Sequence, residues 1–338
     1  MPIRAAIFGL SGPSLSREEQ QFFADVEPLG FILFSRNCIS PDQLRRLTDS
    51  LRTLTGRPGT PILIDQEGGR VTRLGPPHWR KPPAAERLSA CWSRQPDVAR
   101  AAVAANARLI ADDLHHAGIN VDCAPVLDVP ALGAHDIIGD RAFGPDVPPI
   151  VDLGRAMAEA LIAGGVLPVM KHIPGHGRAR ADSHKELPVV EANRDELEAV
   201  DFATFAALKT IPLAMTAHVL YTAIDPHRAA TTSALAIDVI RRQIGFDGLL
   251  MSDDISSNMK ALPGDYDRRT KDCLVAGCDV VLHCSGRLGE MEMVASALPE
   301  LTPAASSRWA RAQALLPKGV SAADRPALEA VVHRALER

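Results

Sequence analysis

The sequence predicts an α/β protein built as a single (β/α)8 TIM barrel, and three observations support that prediction. Short apolar runs recur along the 338 residues, each is followed by a stretch of helical period, and eight such units can be counted. The runs are 5–9, 30–34, 61–65, 119–126, 167–172, 212–218, 248–253 and 278–284. Several carry Val, Ile and Leu at both even and odd positions, as strands buried on both faces of a parallel sheet do.

The segments between the runs read as helices. Leu44, Leu47, Leu51 and Leu54 form one apolar stripe, with Pro41 in the first turn after Ser40. A longer helix spans 96–117 and stops at Gly118, and another begins near Asp195 and carries Leu197, Val200, Phe205 and Leu208. Long connections follow the third, fourth and fifth runs, at 75–83, 125–147 and 173–188. In this fold such loops project from the C-terminal face, where active sites lie. No linker or composition break divides the chain, so residues 1–338 are expected to form one domain, the C-terminal part being a helical extension.

Composition narrows the function classes. Hydrophobic residues make up 46% and charged residues 23%, enough apolar content to bury a sizeable core. The formal net charge is −4 with basic residues scattered, which argues against a nucleic-acid partner. No stretch approaches the roughly 18 uninterrupted apolar residues of a membrane span. Residues 1–12 also lack the long apolar region of a secretory signal, so a cytoplasmic protein without a membrane partner is expected. The cysteines Cys38, Cys91, Cys123, Cys273, Cys278 and Cys284 are widely spread and read as free, structural thiols.

The distinctive polar residues fall at run ends: Asp65 after the third, Arg141 after the fourth, Lys171 and His172 at the fifth, His218 at the sixth, Asp253 at the seventh. Charged groups gathered on one rim are costly to desolvate unless they are paired or used, so the ring points to a polar-ligand site. Four segments stand out: Ile64-Asp65-Gln66-Glu67-Gly68-Gly69-Arg70-Val71; Ile138-Gly139-Asp140-Arg141-Ala142-Phe143; Lys171-His172-Ile173-Pro174-Gly175-His176-Gly177 followed by Asp182-Ser183-His184; and Phe246-Asp247-Gly248-Leu249-Leu250-Met251-Ser252-Asp253-Asp254.

Together these segments resemble the β-N-acetylglucosaminidase (β-N-acetylhexosaminidase) branch of glycoside hydrolase family 3, the NagZ type, from Gly30 to about Ala276. The resemblance implies removal of terminal non-reducing N-acetyl-β-D-hexosamine residues with retained configuration. It implies a carbohydrate substrate, either muropeptides containing N-acetylglucosamine or chitooligosaccharides, in peptidoglycan recycling. A monomer with no cofactor and no metal is expected. Glycosidic cleavage needs a nucleophile below the anomeric carbon and a proton donor beside the leaving oxygen. By resemblance Asp253 is the nucleophile, and His184, partnered by Asp182, is the acid/base. Histidine suits that role because its ordinary pKa of about 6.5 lets it give and recover a proton near neutrality. Asp65, Arg73, Arg141, Lys171 and His172 take the role of binding the hydroxyls of the terminal sugar.

Finer expectations follow. Glu67 with Gly68-Gly69 should shape the turn after the third run, and His176 should hold the catalytic loop. Asp254 should cap a following helix, and Ser183 should point away from Asp182 and His184. Asp128 and His218 lie near the rim without an assigned role. The loop upstream of Asp182 is Gly-rich and is expected to move during the cycle.

Three rival readings are weaker. A zinc hydrolase using His172, His176, Asp182 and His184 lacks the usual early His-Xaa-His pair, and Pro174-Gly175 breaks any helix that would align two of these ligands. A two-domain β-glucosidase takes its acid/base Glu from a following domain for which no room remains. A non-catalytic sugar-binding barrel would be expected to lack Asp253 or His184. One departure from the family pattern is the apparent insertion of Ser257-Asn258 before Met259.

Overall fold

The computed structural model describes residues 2–183 and 186–337. Among them, eight parallel strands close into a barrel, each hydrogen-bonded to its sequence neighbour and the last to the first. They are β1 (Arg4–Gly9), β2 (Pro28–Leu33), β3 (Ile62–Ile64), β4 (Val121–Asp122), β5 (Leu167–Ile173), β6 (Leu213–Thr216), β7 (Leu249–Asp254) and β8 (Val280–His283). All eight apolar runs overlap a strand, so the expected (β/α)8 barrel is the observed one.

Side chains alternate across a strand, and the barrel interior follows that period of two. Ile7, Ile32, Leu63, Val121, Val169, Leu213, Met215, Leu249, Met251, Val280 and Leu282 are buried there as one cluster. Ala305, Trp309 and Ala312 of the helix Pro303–Gln313 join the same cluster. The opposite face of each strand packs on the helical layer.

The helices form where the sequence punctuates them. Ser40 accepts from the Gln43 amide ahead of Pro41–Thr55, whose Leu44, Leu47 and Leu51 are buried, and Gly56 closes it at φ 63°. The helix Pro96–His116 ends two residues before Gly118, at φ 76°. The helix expected near Asp195 is capped by Asn193 and is interrupted by a π turn at Leu197–Asp201 before Phe202–Ala207. A two-stranded pair, Val189–Val190 with Leu220–Tyr221, lies outside the barrel and was not anticipated. The last helix, Arg325–Leu336, is tied back by Arg325 to Asp112 (2.7 Å) and Asp113 (2.8 Å). Among the described residues no helix is long and apolar enough to cross a membrane.

Candidate active site

Beyond the apolar interior, the next inward position on several strands reaches the C-terminal mouth. Following Leu63 comes Asp65, following Val169 comes Lys171, and following Met251 comes Asp253. All three line one cavity of about 680 Å³, together with Met215, Leu282 and Cys284 from β6 and the end of β8. Arg73, Arg141 and His172 line it too. Six of the eight expected site residues therefore share one cavity wall. Asp182 is half-buried on the loop after β5 and is not on that wall, whereas its neighbour Ser183 is. His184 lies outside the described residues.

One wall is a row of alternating charge. Arg73 Nη2 donates to Asp65 (3.1 Å), and Lys171 Nζ bridges Asp65 (2.8 Å) and Glu67 (2.6 Å). Arg141 grips both Glu67 oxygens at 2.8 Å. Burial alone would raise the Asp65 carboxyl, but Lys171 and Arg73 hold it well below its usual range. Burial opposes ionisation of Glu67 as well, and Arg141 with Lys171 brings it down to about 2. Conversely, Lys171 and Arg141 are desolvated yet held above their ordinary values by these carboxylates. The row carries three cations against two anions, fixed before any ligand arrives, and presents donors to neutral hydroxyls.

Glu67 thus does more than shape a turn, and that expectation is corrected. Its side chain holds the two cations in place, while the turn belongs to Gly68 (φ 109°) and Gly69 (φ 59°). A Cβ on Gly68 would come within 2.3 Å of the Pro83 carbonyl oxygen.

Asp128, left unassigned by the sequence, organises the two imidazoles. Its fully buried carboxylate accepts from the His172 amide (3.2 Å), His172 Nδ1 (2.7 Å) and the His176 amide (2.6 Å). An ionised carboxylate only accepts, so Nδ1 of His172 carries a proton and the ring orientation is fixed. Burial pushes the Asp128 carboxyl up, but His172 and these bonds bring it below its ordinary value. His176 is held through its backbone and also lines the cavity, 5.6 Å from the His172 ring. Burial, then the adjacent His172, depress its pKa to about 4, so it is a neutral wall group.

Asp253 and Asp254 part ways at the end of β7. Asp253 shares the inward face with Leu249 and Met251, and its amide donates to Thr216 Oγ1 (3.2 Å). Asp254 does not cap a helix: the next one starts at Tyr266. Its carboxylate instead accepts from Ser256 N (2.9 Å), Ser256 Oγ (2.7 Å) and Cys284 N (2.9 Å), closing the turn after β7 and tying it to β8. His218 supports the same strand end. Its Nε2 donates to the Asp254 carbonyl (2.8 Å), and its Nδ1 shares a hydrogen bond with Thr231 Oγ1 (2.8 Å). Burial lowers its pKa, and Asp253 opposes that.

The loop carrying Asp182 is anchored at its base. Arg178 Nε donates to Asp201 (2.6 Å), Tyr221 donates to the Gly175 carbonyl, and the Gly177 and Ala179 carbonyls accept from Ala131 (2.9 Å) and His135 (2.8 Å). Burial raises the Asp201 carboxyl to about 6 despite Arg178. Further on, the chain turns, with Glu186 N donating to the Asp182 carbonyl (3.1 Å). Ser183, expected to point away from Asp182 and His184, lines the cavity.

The geometry meets independent comparisons. The family model described as the glycosyl hydrolase family 3 N-terminal domain matches residues 5–313. A β-hexosaminidase from Alkalilimnicola ehrlichii is 39% identical over 307 residues, covering 90% of this chain and 87% of the relative. Among solved structures, NagZ from Neisseria gonorrhoeae in complex with zinc ion superposes with a TM-score of 0.87 at 28% identity, covering 99% of each chain. NagZ from the same organism in complex with N-trifluoroacetyl-D-glucosamine gives a TM-score of 0.84 at 30% identity, over 100% of this chain and 97% of that one. Strand-end chemistry, fold and sequence agree, and the chain belongs to glycosyl hydrolase family 3.

Proposed function

We propose that this glycoside hydrolase is a retaining exo-β-N-acetylglucosaminidase that works through a glycosyl ester on Asp253. The observation carrying the proposal is the position of Asp253: the last inward residue of β7, in the same cavity as the row Arg73–Asp65–Lys171–Glu67–Arg141. At about 680 Å³, that cavity lies within the roughly 300–1,000 Å³ range of small-ligand sites.

In this reading the charged row, with His172, binds hydroxyls of the terminal sugar and sets its anomeric carbon against Asp253. The Asp253 carboxylate attacks that carbon while His184 gives its proton to the departing oxygen. Water, losing a proton to His184, then attacks the same carbon and releases Asp253 as a carboxylate. Asp182 orients His184, and the Gly-rich loop moves to deliver it. These roles rest on the Asp182-Ser183-His184 motif, and the position of Ser183 on the wall supports a loop that reaches the cavity.

The relatives' names, β-hexosaminidase and NagZ, support N-acetyl-β-D-hexosamine as the sugar. Muropeptides or chitooligosaccharides are the proposed substrates, and peptidoglycan recycling in the cytoplasm the proposed setting. The enzyme is proposed to be one domain over residues 1–338, monomeric and free of any cofactor; the helix Pro303–Gln313 packed into the barrel cluster supports the single domain.

The test compares aryl N-acetyl-β-D-glucosaminide with aryl β-D-glucoside and follows the first-formed anomer by NMR. The proposal expects the acetamido substrate to be strongly preferred and the β-anomer to appear first. Equal rates, or an α-anomer first, would overturn it.

A further inference from the structure

The wall of the cavity is largely buried: Lys171 is 2% exposed, His176 3% and His172 7%. Two lining residues, Arg70 and Asn258, are exposed and therefore mark the mouth. For an enzyme taking one terminal sugar, that sugar fills the closed end, and whatever is attached to its anomeric oxygen leaves through the mouth. Residues at the mouth consequently face the leaving group.

Asn258 is held there by a fastened segment. Ser257 donates to Glu290 through its hydroxyl (2.7 Å) and its amide (3.4 Å), and Arg287 bridges Ser257 Oγ (2.6 Å) and Glu290 (2.9 Å). Ser285 and His283 reach the same carboxylate at 2.9 Å and 3.2 Å. Burial would raise Glu290, but the Ser257, Arg287 and Ser285 bonds hold it at about 2. From the other side, Arg269 Nη1 donates to the carbonyls of Ile255 (3.1 Å), Ser256 (3.0 Å) and Met259 (3.2 Å).

A segment tied this firmly has already lost its conformational freedom, so a contact made from it costs little further ordering. The Asn258 backbone N–H donates to Ser256 Oγ (3.3 Å), while its carboxamide makes no hydrogen bond to a described residue. An amide with a free donor and a free acceptor suits hydroxyl groups better than a flat aryl ring. Ser257 supplies the clamp and Asn258 the tip.

We infer that Asn258, held by the Ser257–Glu290 clamp, contacts the leaving group and favours a hydroxylated one, such as a second sugar. This rests on the glycosidase reading above. The test measures kcat/KM for N,N′-diacetylchitobiose and for 4-nitrophenyl N-acetyl-β-D-glucosaminide in the wild type, N258A and E290Q, with the Tm of each. The expected result is a disaccharide-to-aryl ratio lowered roughly tenfold in N258A, the scale of one lost hydrogen bond, and lowered also in E290Q, where the clamp is weakened. An unchanged ratio in a folded N258A, or equal losses on both substrates, would overturn the inference. A wild type that cleaves neither substrate would instead sink the underlying reading.

Discussion

Replacing Glu67 by Gln removes a carboxylate from between two cations while keeping the shape of the side chain. The site is nearly closed to solvent: the side chains of Glu67, Arg141 and Lys171 are 6%, 11% and 2% exposed. At an effective dielectric constant of about 20, each contact of this length has a gross attraction of about 6 kcal/mol, much of it offset by desolvation. The net figure is better read from the carboxyl itself, which is held at about 2 against an ordinary 4.5, or about 3 kcal/mol in favour of the folded state. Breaking a buried pair by removing one partner costs a similar amount, about 3–5 kcal/mol. With an unfolding entropy of about 2.1 cal/mol/K per residue over 338 residues, Tm should fall by roughly 4–7 °C at pH 7. Because the folded-state pKa is depressed, this stabilisation is complete above pH 4.5 and is lost as pH falls through about 2. The Tm gap between wild type and E67Q should therefore be constant near neutrality and close on acidification. Differential scanning calorimetry across pH 2.5–7 measures it. A gap below about 1 °C at pH 7, or one that widens in acid, would refute the assignment of Glu67 as the buried counter-charge.

Other outcomes follow from the same geometry. Asp128→Asn places an amide where three N–H groups now converge; kcat/KM should drop roughly tenfold to a hundredfold as His172 loses its orientation, and unchanged kinetics in a folded variant would count against Asp128 as a positioning residue. His184→Ala should cost about 10²–10⁴ on substrates with poor leaving groups and far less on activated aryl glycosides. Equal losses on both would remove His184 from the acid role. Exhaustive chelation followed by zinc addition should leave turnover unchanged; activity that vanishes and returns with zinc would favour the metal-hydrolase reading.

The barrel was legible because its signal is local. Each strand falls in an apolar run and several helices carry their own caps, as Ser40 and Asn193 do, so period and punctuation suffice. What lay outside that signal was missed: the two-residue pair Val189–Val190 and Leu220–Tyr221 is too short to show a period, and the π turn at Leu197–Asp201 leaves the helical pattern intact. At the site, the strand-end residues were readable by position. Even the choice between Asp253 and Asp254 was available from alternation alone, since Leu249, Met251 and Asp253 fall on one face. Glu67 and Asp128 were not readable, because their partners come from other elements of the barrel, Arg141 74 residues away and His172 44 residues away. Local patterning has no access to such pairings; only closure of the barrel brings them together.

Covalent catalysis by Asp253 is the claim on which the rest depends, and a slow-turnover substrate tests it most directly. The enzyme would be treated with a 5-fluoro N-acetylglucosaminyl fluoride, digested, and its peptides sequenced by mass spectrometry. A single added sugar on Asp253, absent from Asp253→Ala, is the result expected. Label on Asp254 or Glu67, or an intact enzyme that turns over without ever carrying label, would contradict it.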